Sequence, residues 1–207
     1  MSKLKHWFFD LDGTLARTGE DIVAAWKRSI ADLGRECPHF DEVFKIGPTL
    51  EQVIYELFDD ASPELVAQMV ARFRPNYDES GFPLTEPYPG VPEWLKSLKG
   101  AGDRLYIVTN KRQEPTQRIV RKFGWDTLFD GVWSFDSFPG VKYRKPDLLA
   151  HLLKEMSIAP SCATMVGDTK GDIDAGRANG MRTIGVTWGY GSREELQNAD
   201  EIKEKLP

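Results

Sequence analysis

The sequence predicts an α/β fold, a parallel sheet flanked by helices and interrupted after its first strand by an inserted helical block. Three observations predict it. From about residue 83 onward, short apolar runs alternate with amphipathic helical segments, the pattern of strands joined by crossover helices. Residues 18–82 carry helical periodicity with no strand between the helices. Two of the apolar runs, Trp7-Phe8-Phe9 and Met165-Val166-Gly167, stop abruptly at aspartates, Asp10 and Asp168, as strands do when their ends face a ligand.

The first strand occupies the apolar run before Asp10, and Gly13 supplies the tight turn that follows. Thr18 with Asp21 resembles a capping box, and Ile22, Trp26, Ile30 and Leu33 repeat at helical spacing until Gly34 stops the helix. A second helix starts at Thr49, with Gln52 three residues on, and buries Val53, Ile54, Leu57 and Phe58. A third starts at Ser62-Pro63 and carries Leu65, Val66, Met69, Val70 and Phe73. The stretch from Pro75 to Pro92 reads as turns. Helices through Trp94 and Leu98, Ile119 and Phe123, Leu148 and Leu153, and Ile173 to Asn179 then alternate with strands at Leu105–Val108, Val132-Trp133, Thr164–Val166 and Thr183–Val186. Lys145-Pro146 is expected in a loop before a helix.

At 207 residues the chain holds one core with room for an insertion. Its 32 acidic and 27 basic residues give a net charge of −5 without any Lys/Arg block, which argues against nucleic acid or an anionic membrane as partner. No signal peptide or membrane span is visible, so a cytoplasmic protein is expected, as a monomer or homodimer with a small-molecule partner. Cys37 and Cys162 stand alone and His6, His39 and His151 are scattered, which speaks against a disulfide framework or a zinc site. Cys162 is expected as a small buried residue and Asp174 as a solvated helix position.

Carboxylates as close as Asp10 and Asp12 repel unless a cation, a shared proton or a division of labour intervenes. In an open parallel sheet the ends of the strands carrying Asp10, Thr109-Asn110 and Asp168 converge. An aspartate there can attack phosphorus to form an acyl phosphate, the role read for Asp10. Asp12 would protonate the leaving oxygen and then take a proton from water. Lys145, the Thr109 hydroxyl and backbone N–H groups around Gly13 and Asn110 would neutralise the phosphoryl oxygens. Asp10, the Asp12 carbonyl and Asp168 form an all-oxygen set suited to Mg²⁺, with Asp172 behind them. Arg17 at the first hinge, and Lys45, Gly47 and Thr49 in a turn of the helical block, are candidates for reading a second anionic group on the substrate.

The motifs DLDGTL, VTNK, RKPD and GDTKGD, in that order, resemble the haloacid dehalogenase-like hydrolase superfamily over essentially the whole chain. The VTNK and RKPD forms look most like its phosphoglycolate phosphatase-like branch. The resemblance implies a Rossmann-like parallel sheet core, residues 1–15 and 83–207, with an inserted small α-helical cap, residues 16–82. It also implies Asp10 as nucleophile, Asp12 as acid/base, Thr109 and Lys145 as phosphate ligands, and Mg²⁺ on Asp10, Asp12 and Asp168. The activity implied is Mg²⁺-dependent hydrolysis of a small phosphorylated metabolite through an aspartyl-phosphate. The alternatives are an inorganic pyrophosphatase, a nucleotide 5′-phosphatase, a sugar-phosphate mutase or a phospho-accepting signalling domain. Ala16-Arg17-Thr18 departs from relatives that often carry an aspartate and a serine after the first motif, which bears on substrate rather than reaction.

Overall fold

The computed structural model describes residues 4–206. In chain order the elements are β1 (His6–Phe9), β2 (Ala16–Arg17), α1 (Gly19–Asp32), α2 (Phe40–Val43), α3 (Leu50–Leu57), α4 (Pro63–Asp78), β3 (Glu86–Pro87) and α5 (Val91–Gly100). There follow β4 (Arg104–Thr109), α6 (Gln113–Lys122), β5 (Gly131–Ser134), α7 (Lys145–Glu155), β6 (Ala163–Gly167), α8 (Lys170–Ala178), β7 (Arg182–Val186) and β8 (Glu201–Lys203). Two compact units emerge: residues 18–85, and the remainder before and after them.

The larger unit is built on a six-stranded sheet in the order β5-β4-β1-β6-β7-β8, with every neighbouring pair parallel. This is the α/β parallel sheet that the alternating pattern predicts. β1 is central because its residues are apolar on both faces. Phe8 clusters with Tyr106 and with Leu148, Leu149, Leu152 and Leu153 of α7, while Phe9 meets the Trp94 ring of α5 edge-on at 5.3 Å. Consecutive strand residues point to opposite faces, so α5 and α7 cover the sheet from opposite sides. From β1 the chain steps outward one way through β4 and β5, then returns to the other flank for β6, β7 and β8. The strand order therefore reverses beside β1, where open α/β sheets have their ligand crevice. Phe9 is level with both Ile107 and Val166, which sets Asp10, Thr109 and Asp168 within two residues of one another along the sheet edge.

The smaller unit packs α1 against α4. Trp26 is fully buried, 4.8 Å from the Phe73 ring, and Tyr77 packs between Phe73 and Phe82. α3 starts at Thr49 as expected, where Thr49 and Gln52 form a capping box, and Ser62 caps α4 ahead of Pro63.

Several expectations are corrected. Thr18 makes no side-chain cap on α1, because Asp21 turns instead to accept hydrogen bonds from Leu84 N and Thr85 Oγ1. Pro75 lies inside α4 rather than in a turn. Its missing N–H costs about 3 kcal/mol in a helix interior, but Phe73 and Tyr77 on either side are anchored in the aromatic core, and the helix runs on to Asp78. A one-turn helix, α2, precedes α3, and an edge strand, β8, extends the sheet beyond β7. Lys145 is the first residue of α7, not part of the preceding loop, and Cys162 is half-buried in a 3-10 turn.

Candidate active site

β1 carries its ladder one residue past Phe9, where Asp10 N donates to Val166 O at 2.9 Å, so the Asp10 carboxylate stands at the strand end and is buried. The chain then reverses. Leu15 N and Ala16 N both donate to Leu11 O, and Gly13 N donates to Ala16 O. Gly13 has φ +82°, and a Cβ there would fall 2.2 Å from Asp168 Oδ2, so the turn demands glycine for both conformation and space.

Lys145, fixed at the start of α7, is the electrostatic centre. Its Nζ donates to Asp10 Oδ1 at 2.7 Å and to Asp172 Oδ1 at 2.5 Å. The second Asp172 oxygen accepts from Thr169 N and Thr169 Oγ1, which anchors it in the first turn of α8. Gly167 lets that turn approach, since a Cβ on it would lie 2.2 Å from Asp172 Cβ. Asp168 is fully buried. Its Oδ1 accepts from the Thr14 hydroxyl at 2.9 Å and its Oδ2 from Tyr190 N at 2.7 Å. Thr109 Oγ1, also buried, accepts from Lys111 N, and Lys111 Nζ lies 3.0 Å from Asp12 Oδ1. Asn110 follows Thr109 at the same strand end.

Among the described residues, Asp10, Asp168 and Asp172 present carboxylate oxygens within 4.8 Å of one another. Burial, the charges of Asp172, Asp168 and Asp12 opposing the relief from Lys145, pushes the Asp10 carboxyl up to about 8. Burial and then the Asp172 charge push Asp168 up to about 7, against the donors from Tyr190 and Thr14. Burial works against the Lys145 ammonium, but Asp10 and Asp172 outweigh it and hold its pKa above the usual lysine value. When all three are ionised, three carboxylates against one ammonium leave an excess of negative charge among oxygen donors. That is the donor chemistry of a hard divalent cation, which the residues present fit.

The sequence candidates thus divide. Asp10, Asp168, Asp172 and Lys145 come together, with Gly13 over Asp168, and Asp12 and Thr109 are joined through Lys111. Arg17 is exposed in β2 and pairs with Glu86 of β3 at 3.0 Å. Lys45, Gly47 and Thr49 belong to the helical unit. There the Gln52 side chain accepts from Thr49 N, so this helix start is already capped. Sequence reasoning gave no role to Lys111, Thr14, Trp188 or Tyr190. The signals that could have found them were the lysine closing VTNK and the Gly189-Tyr190-Gly191 run just past β7, at the same sheet edge as Asp168.

Residues 7–186 match the family model of haloacid dehalogenase-like hydrolases. The phosphoglycolate phosphatase of Aquifex aeolicus is 34% identical over 183 residues, which cover 88% of this chain and 84% of that protein. The tyrosine-protein kinase PtkA of Mycobacterium tuberculosis is 32% identical over 210 residues, 96% of this chain and 71% of that protein. A solved haloacid dehalogenase-like family hydrolase from Streptococcus pneumoniae superposes with a TM-score of 0.84 at 28% identity, covering 99% of this chain and 96% of that one. The chain belongs to the haloacid dehalogenase-like hydrolases, in the branch that includes the phosphoglycolate phosphatases. It is accordingly an enzyme, a phosphoric monoester hydrolase.

The raised carboxyls predict how stability depends on pH in metal-free protein. Between about pH 4 and about pH 8 the folded chain keeps a proton on Asp10 that the unfolded chain has released. The stability this contributes is full below pH 4 and is lost as pH rises through the folded value. With chelator present, the melting temperature of Asp10→Asn minus that of the parent should therefore grow across this window. A constant difference would refute the assignment.

Proposed function

We propose that the chain is a Mg²⁺-dependent phosphatase of a small phosphorylated metabolite, a phosphoglycolate-like phosphomonoester, acting through an aspartyl-phosphate on Asp10. The observation that carries this reading is the pairing of two aspartates two residues apart with two different lysines. Asp10 is buried on Lys145, and Asp12 lies in the turn on Lys111. An Asp10 oxygen attacks phosphorus, the bond from phosphorus to the ester oxygen breaks, and Asp12 gives its proton to the departing alcohol. Water then attacks phosphorus, Asp12 takes its proton, and the bond from phosphorus to Asp10 breaks to release inorganic phosphate. Thr109, Lys145 and the N–H groups around Gly13 and Asn110 hold the phosphoryl oxygens. Asp10, the Asp12 carbonyl and Asp168 would hold Mg²⁺, which when bound would supply charge neutralisation for the approach of one anion to another. Asp172 orients Lys145, which it contacts directly. Among the described residues no helix is long and apolar enough to cross a membrane. A cytoplasmic monomer or homodimer fits a diffusible substrate.

The direct test is a Mg²⁺-supported screen of small phosphomonoesters that measures release of phosphate to water against transfer to a second acceptor. Asp10→Asn keeps the volume and removes the nucleophile, so turnover should fall by roughly 10³-fold or more, and chelation should abolish it until Mg²⁺ is restored. Full turnover in either case sinks the mechanism. Asp12→Ala should cost about 10²-fold or more with poor leaving groups and clearly less with activated aryl phosphates, which need less protonation. Equal losses would remove Asp12 from the role of general acid.

Specificity is assigned to Arg17 and to the cap turn bearing Lys45, Gly47 and Thr49, because the core ligands meet only what all phosphomonoesters share. Arg17→Ala and Lys45→Ala should each raise KM for an anionic small substrate by about tenfold while sparing a neutral aryl phosphate. Parental behaviour of both variants toward both substrates would place specificity elsewhere.

A further inference from the structure

The loop that leaves β7, Thr187 to Ser192, holds no residue used in the reaction above, yet it is built against the carboxylates. Trp188 Nε1 donates to Thr14 O at 3.0 Å. The Thr14 hydroxyl donates to Asp168 Oδ1, and Tyr190 N donates to Asp168 Oδ2. Three hydrogen bonds thus form a closed circuit from the loop to the β1 turn, on to Asp168, and back to the loop. Both Asp168 oxygens are engaged, so rotation of the carboxylate is blocked from two sides.

The circuit requires unusually close backbone approach, and the glycines provide it. A Cβ on Gly189 would lie 2.4 Å from Gly13 O and 2.3 Å from Asp168 Oδ2, and one on Gly191 would lie 2.0 Å from Asp168 O. The Tyr190 ring lies over Gly13, and its hydroxyl is hydrogen-bonded to Tyr88, whose own N–H donates to Leu15 O of the same turn. The loop therefore grips the β1 turn at two points and Asp168 at one.

We propose that Trp188 and the backbone of Tyr190 are positioning residues, which preset the Asp168 carboxylate toward the β1 turn to receive the divalent cation. A carboxylate repelled by Asp10 and Asp172 turns away from them unless other donors fix it, and these donors point it inward before any cation arrives. The assignment rests on the reading of Asp168 as a cation ligand, so its test measures cation binding rather than turnover.

Trp188→Phe keeps the aromatic bulk and deletes the indole N–H. In calorimetric titration of phosphate-free protein with MgCl₂, the Kd should weaken about tenfold, with the melting temperature in chelator close to parental. Gly191→Ala, which forces the loop off Asp168, should weaken Mg²⁺ at least as much. Parental Mg²⁺ affinity in both variants overturns the proposal while leaving the phosphatase reading intact. A lower melting temperature in chelator with parental Mg²⁺ affinity assigns the loop to the fold alone and overturns it too. A parent that binds no divalent cation overturns both readings together.

Discussion

Taking three carboxylates out of water within 4.8 Å of one another is the constraint around which the core unit is arranged. Each ionised carboxylate loses hydration on burial and gains repulsion from its neighbours, and such a cluster persists only with counter-charge and donors in fixed places. Lys145 supplies the counter-charge. As the first residue of α7 its backbone is held by a helix packed through Leu148, Leu149, Leu152 and Leu153 against Phe8, so the ammonium is anchored to the same strand whose end it serves. Three further oxygens are met from the loops: both of Asp168 by Thr14 and Tyr190 N, and the second of Asp172 by Thr169. Those contacts hold the acids in place but leave an excess of negative charge, which is what a cation would complete.

The reversal of strand order at β1 makes this possible. The strands on either side of β1 are reached by winding in opposite directions, the topology that in open α/β sheets places the ligand site at the strand ends beside the switch point. The helical unit is inserted between β2 and β3. Its two connections run side by side as the β2–β3 pair, with Arg17 opposite Glu86, and within the helical unit Asp21 fastens the first turn of α1 to Leu84 and Thr85. The Arg17–Glu86 pair is more than half exposed on both sides, so it contributes little to stability.

How much was legible in the sequence follows from what each feature depends on. Asp10 and Asp168 were readable because an apolar run that stops at a carboxylate is a local pattern with few physical explanations. Lys145 was readable as a residue of this sheet edge but not as a helix residue, because a lysine before proline fits a loop as well as a helix start. β8 escaped because Glu201-Ile202-Lys203 is an edge strand with one apolar residue, and its order comes from pairing with β7 rather than from its own pattern. Pro75 misled because helix rules weigh the missing N–H and not the aromatic packing on either side of it. The Trp188–Gly191 loop was invisible for a different reason. Its contacts use an indole N–H and a peptide N–H, toward partners 174 and 22 positions away in sequence, and the absence of Cβ atoms. Side-chain chemistry leaves a trace in composition, whereas backbone approach leaves only glycines, which have many other uses.

Asp10 and Asp12 show how a fold makes two like residues different. On a strand both would face the same side, and as two like acids they would share one environment. The chain leaves the strand at Asp10 and turns through Gly13, so the second acid is carried away from the sheet before it can settle beside the first. Asp10 stays in the dry interior against Lys145, the lysine that also holds Asp172. Asp12 comes to rest half-buried against Lys111, which follows the β4 strand end. A buried, ion-paired carboxylate is restrained and aimed, as an attacking group must be. An acid displaced into the turn and paired with a different lysine stands apart from the attacking group, where the proposed role places it beside the leaving oxygen. The division of roles proposed for the pair is therefore set by a single glycine turn and by which lysine each acid meets, not by any difference between the two side chains.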